Sequence, residues 1–99
     1  MKLKEIAHSR TGDKGNISVI SLIAYDSSDY PLLAERVTAA RVANWFAQIC
    51  RGTVTRYEIP SIGALNFELT DALGGGVTRS LALDMHGKTL GGALLEMDL

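Results

Sequence analysis

A single cysteine, two prolines and one tryptophan are spread over 99 residues, and neither sign of charge prevails, with ten Lys+Arg against eleven Asp+Glu. Cys50 alone cannot close an internal disulfide or build a thiolate metal cluster, and it fits a reducing compartment. A net charge of -1 removes the global attraction on which binders of nucleic acid and anionic lipid rely. The longest apolar run, residues 17–25, is about half of the ~20 residues that a bilayer span requires, and two serines interrupt it. No targeting segment is visible where Lys2, Lys4 and Glu5 carry charge. The expectation is therefore a cytoplasmic chain with no nucleic-acid or membrane partner, no metal and no cofactor.

What is present suffices for a core. Hydrophobic residues make up 46% of the chain and charged ones 21%, which excludes disorder, and the length fits one domain. So apolar a composition in so short a chain is also consistent with a self-association surface, hence a homo-oligomer, or with a larger partner.

Gly and Pro punctuate short elements. Residues 2–8 read as a strand, and a polar loop follows over 9–16. In 17–25, Ile17, Val19, Ile23 and Tyr25 share one strand face and Ile20, Leu22 and Ala24 the other, the pattern of a strand covered on both sides. Helical alignment of 17, 20 and 24 competes, but the run is short, β-branched and bounded by turn residues. The turn at Asp26 to Asp29 supplies capping groups, and Pro31 suits the first turn of a short helix reaching Val37. Thr38 N-caps a second helix, whose Val42, Trp45, Phe46 and Ile49 form an apolar face that anchors the core. Arg51 and Gly52 have the chemistry of its C-terminal end. A strand over 53–59 stops at Pro60.

In 61–73, Leu65 to Leu69 alternate weakly as in a strand, while Ile62, Leu65, Leu69 and Leu73 keep near-helical spacing; of these two readings the helix, ended by Gly74, Gly75 and Gly76, is preferred. Residues 77–84 alternate as a strand, Asp84 to Lys88 compose a tight turn, and the tail to Leu99 reads as a closing strand. Interleaved strands and helices indicate an α+β class.

Two segments concentrate polar chemistry. The first is His8, Ser9, Arg10, Thr11, Gly12, Asp13, Lys14, Gly15 and Asn16, in which hydroxyls, cations and glycine-exposed amides could hold a carboxylate or phosphate, or simply satisfy a turn. It lacks the spacing of a Walker A loop. Gly12 to Gly15 also matches the GXXG loop of KH domains, but that loop joins two helices and this segment joins two predicted strands. The second segment runs from Gly74, Gly75 and Gly76 to Arg79, whose guanidinium could grip an oxyanion, the alternative being a helix cap leading into a strand. Asn66, framed by Leu65 and Phe67, must find partners, whether structural or from a ligand. Cys50 reads as a small core residue and His86 as a turn residue. No metal-ligand spacing, carboxylate pair or nucleophile elbow occurs, so no catalytic residue is assigned.

Taken together, Ala7 to Gly15, Tyr30-Pro31-Leu32-Leu33, Leu65-Asn66-Phe67, Ala72 to Gly76, and Ser80 to Asp84 with Gly87-Lys88 resemble the AtuA-like ferredoxin-fold domain across essentially the whole chain. The resemblance implies a ferredoxin-like two-layer sandwich, with a mixed or antiparallel sheet and helices on one face. It also implies a larger AtuA-type protein, to which such domains are fused or beside which they occur, and a context of terpenoid and branched acyl-CoA catabolism. That family has no established catalytic residues. By position, Ser9, Arg10, Asp13, Lys14, Asn66, Gly75, Gly76 and Arg79 are implied to share a site. Two functions follow as expectations: an accessory or ligand-binding subunit docked on the larger protein, or a small enzyme for an acyl-CoA-like or carboxylate substrate. In the enzyme, His8 or Asp13 would be the base, and Arg10, Lys14 and Arg79 the anion holders.

Overall fold

A computed structural model describes residues 1–14, 17–47, 50, 52–71 and 90–99. Among these residues, four antiparallel strands form a sheet: β1 (Ala7–Lys14), β2 (Ile17–Ala24), β3 (Val54–Ile59) and β4 (Ala64–Thr70), in the spatial order β1, β2, β4, β3. Between β2 and β3 the chain forms α1 (Tyr30–Arg36) and α2 (Ala39–Trp45), and α3 (Leu90–Leu94) precedes the C-terminal residues. Of the expected mixed or antiparallel sheet, the antiparallel form is the one adopted.

β2 and β3 both run antiparallel to β4, which lies between them. They are therefore parallel to each other and linked by a helical crossover, the split βαβ unit of ferredoxin-like folds. The edge position beside β2 is filled by β1, which enters through a direct hairpin. In a βαββαβ chain that edge strand comes last; here it comes first. The tail closes the circuit. Leu3 N–H donates to Met97 O, and Lys4 N–H to Leu95 O, both at 2.9 Å, and Leu99 N–H donates to Met1 O at 3.0 Å. The arrangement is that of a ferredoxin-like fold whose chain is cut at a different point.

The core lies between the sheet and the helices. Ile20 and Leu22 of β2 and Leu65, Phe67 and Leu69 of β4 are fully buried against Leu33, Val37, Val42 and Leu94. Local chemistry fixes the helices as expected. Asp26 accepts from Ser28 N–H at 2.9 Å, Pro31 occupies the first turn of α1, and Thr38 Oγ1 accepts from Arg41 N–H at 3.1 Å to cap α2. Arg56 of β3 binds the far end of α1, donating from Nη1 to Ala34 O at 2.6 Å and to Val37 O at 3.1 Å.

Five expectations are corrected. Within the expected helix over 61–73, Ala64–Thr70 is the strand β4: Leu65, Phe67 and Leu69 are buried at a spacing of two, and β4 pairs with a strand on each side. The segment 9–14 is strand and not loop, while the beginning of the expected 2–8 strand is a single 3-10 turn, Leu3–Glu5. The tail forms α3 before a lone bridge between Lys2 and Asp98, so it contains a helix where a strand was expected. Among the described residues, helices cover β2 on one side: Ser18, Ile20, Leu22 and Ala24 are buried, while Ile17, Val19, Ser21 and Ile23 on the other are half-buried. Trp45 is 43% exposed and does not anchor the core; its indole N–H donates to Ala93 O at 3.1 Å, tying α2 to α3, and Phe46 takes the core position. The expected strand at 77–84 and turn at 84–88 lie outside the described residues.

Candidate functional site

Strand register, more than sequence proximity, decides which polar groups meet. In the sheet, Arg10 pairs with Ser21, Ser21 with Asn66, and Asn66 with Tyr57, so these four form one row across all four strands. The neighbouring row is Gly12, Val19, Glu68 and Thr55, and the row on the other side is His8, Ile23, Ala64 and Ile59. Because side chains alternate between faces, these rows lie on the face away from the core. Arg10 and Tyr57 are exposed there, while Ser21 and Asn66 are half-buried.

Arg10 and Asn66, two of the residues that the resemblance implies share a site, are thus brought into one row with a single strand between them. Ser21 and Tyr57 complete it, and Glu68 is the carboxylate next to it. Sequence reading missed these three. The signal for Ser21 was its interruption of the apolar run, but nothing before the register linked it to Asn66.

The other candidates disperse. Ser9 and Thr11 serve the packing of α3: Gly91 N–H donates to Thr11 Oγ1 at 2.9 Å, and a Cβ on Gly91 would lie 2.6 Å from both hydroxyl oxygens. His8 stacks on Tyr25, with ring centroids 5.1 Å apart and planes at 30°, and forms no ion pair among the described residues. Gly12 has open space where a Cβ would project, so close packing does not require glycine there. The Asp13 and Lys14 backbones pair with Ser18 and Ile17. Gly15, Asn16, Gly75, Gly76 and Arg79 lie outside the described residues.

Neither Arg10 nor Glu68 forms an ion pair among the described residues. No group of three or more His, Cys, Asp or Glu among those residues could hold a metal. Cys50 is half-buried; burial pushes its thiol above the ordinary cysteine range, and its Sγ lies 3.5 Å from Thr70 O. These features suit a packing residue better than a nucleophile. No described helix is long and apolar enough to cross a membrane.

The layered helices and antiparallel sheet with a split βαβ connection place the protein in the α+β, ferredoxin-like class. Within that class, the model of the AtuA ferredoxin-like domain matches residues 1–99, and the chain belongs to this family. No curated protein and no solved structure gives a significant match.

Proposed function

We propose that the chain is a small accessory subunit that works by assembly through the open face of its sheet, together with a larger AtuA-type protein, in terpenoid or branched acyl-CoA catabolism. Family membership supports the context. One observation carries the role. β2 is apolar on both sides, yet the described helices cover only one, leaving Ile17, Val19 and Ile23 half-buried beside exposed Tyr57. A strand with this pattern is normally covered twice, and a surface that is part apolar and part polar is the composition of a recognition patch.

Co-expression with the larger protein followed by size-exclusion chromatography tests the proposal. Co-elution is expected at ~1 µM, an affinity of about 8 kcal/mol. A Val19→Asp change on the open face should abolish it, and separate elution of the wild-type chain would refute stable docking.

A second reading, a ligand-binding protein or small enzyme for carboxylates or acyl-CoA thioesters, draws on the row that joins Arg10 to Asn66. A guanidinium and an amide on one face could hold an oxyanion. Arg10→Ala and Asn66→Ala should then each weaken binding across a panel of carboxylates and CoA thioesters. Unchanged affinities would remove this reading.

A further inference from the structure

We infer that the open face of the sheet is an isologous dimer surface, on which a second copy of this chain sits with Arg10 of each copy against Glu68 of the other. The inference rests on the assembly reading above and names the partner at the face. Charge placement carries it. Arg10 and Glu68 have opposite charge, share this face, and lack ion pairs among the described residues. They lie two strands and one row apart, roughly 12 Å at the usual strand and residue spacings.

A two-fold axis lying between two facing sheets exchanges two such points when it crosses the midpoint between them at right angles to the line that joins them. The register fixes that midpoint. Arg10 shares its row with Ser21, and Glu68 shares its row with Val19, so the midpoint falls on β2 between Ser21 and Val19. β2 is an inner strand of the sheet. The operation that makes both ion pairs therefore also centres one sheet over the other. Val19 then lies near the axis, with Ile17 and Ile23 on either side along the same strand, and these are the apolar side chains left half-buried in the single chain.

The dimensions are adequate. Four strands spaced ~4.8 Å apart and about seven residues long span roughly 19 by 24 Å, or about 450 Å² in projection. That is more than half of the ~800 Å² each partner buries in a standard interface, before side-chain relief is added. Self-complementary patches of this kind close into pairs and do not propagate as fibres. The larger protein of the assembly would then recognise the pair and not the single chain, so that a change that opens this face, such as Val19→Asp, ends docking as well.

Light scattering coupled to size exclusion tests the arrangement with three proteins. At about 100 µM, where even modest affinities populate a complex, the wild-type chain should elute at twice the chain mass. Arg10→Glu places two carboxylates together at both contacts, and Glu68→Arg places two guanidinium groups together; each variant should weaken self-association at least tenfold while keeping its circular dichroism spectrum. Mixed in equal amounts, the two variants set a carboxylate of one chain against a guanidinium of the other at both contacts, so a mixed dimer should form. Three results would overturn the inference: a wild-type monomer at that concentration, dimers that survive both charge reversals, or variants that do not associate when mixed. A wild-type monomer that still co-elutes with the larger protein would sink the dimer and spare the assembly reading. A dimer that ignores the larger protein would do the reverse.

Discussion

The Arg56 guanidinium is the tie whose removal should be felt most. Its side chain is only 20% exposed, and its Nη1 donates to two carbonyls at the C-terminal end of α1, Ala34 O at 2.6 Å and Val37 O at 3.1 Å. Carbonyls in the last turn of a helix have no partner within it, and the negative end of the helix dipole favours a cation there. Hydrogen bonds to charged groups contribute about 1.5–3 kcal/mol each. Two bonds from one nitrogen are not additive, and water would recover part of the loss, so Arg56→Met should cost about 2–4 kcal/mol. The ion pair with Glu58, at 3.3 Å to a half-exposed carboxylate, adds little, and Glu58→Gln should stay within ~0.5 kcal/mol. Urea unfolding followed by the fluorescence of the single tryptophan, Trp45, supplies the assay. With a slope of about 1–1.5 kcal/mol per molar urea for a domain of this size, the midpoint should fall by roughly 1.3–4 M at unchanged slope. Arg56→Lys, which can restore one bond, should fall between. A midpoint shift under ~0.3 M for Arg56→Met would refute the argument, since it would mean that the carbonyls lose nothing when the cation goes.

Three further outcomes follow from the same geometry. Gly91→Ala would press a methyl against Ser9 Oγ and Thr11 Oγ1, each 2.6 Å from the new carbon, so it should destabilise by about 1–3 kcal/mol in the same urea assay. Asp26 accepts from both the backbone N–H and the hydroxyl of Ser28, and the backbone bond is the larger reason its carboxyl lies below the ordinary aspartate value. A depressed carboxyl stabilises the fold at pH above its unfolded value and loses that contribution as pH falls through the folded one. Asp26→Asn should therefore flatten the acid limb of the stability profile below the ordinary aspartate range and leave its shape at neutral pH unchanged. Burial holds the Cys50 thiol above the ordinary range, so at pH 8 its reaction with an alkylating reagent should be slower than that of a free cysteine and should rise to the free rate in denaturant.

Much of the fold could be read from the residues, and the failures have identifiable causes. Thr38 announced α2 because a hydroxyl that accepts from Arg41 N–H is a local device requiring no tertiary context. β2 was legible because its β-branched run is bounded by turns. β1 was hidden by its composition: edge strands are kept polar, and Ser9 and Thr11 face the closely approaching Gly91 instead of an apolar layer. Residues 61–73 misled because Leu65 and Leu69 satisfy both a helical spacing and a strand spacing of two, and only the flanking strands decide between them. The candidate site was legible as residue types and not as a place. Arg10 and Asn66 are 56 positions apart in sequence, and their common row depends on which residue of β2 lies opposite each.

The clasp between residues 1–4 and residues 95–99 sets an order in time. Leu3 is fully buried, and the amides of Leu3 and Lys4 find their carbonyls on Met97 and Leu95. While the polypeptide is being synthesised, β1 and β2 can pair as soon as they emerge, because a hairpin is local. The stretch just before β1 cannot settle until residues 95–97 exist. Its seal is a contact of nearly maximal sequence separation, the slowest kind to form. Leu3 thus stays without its backbone partners until residues 95–97 have been made, so a segment that precedes the hairpin in sequence is protected after it.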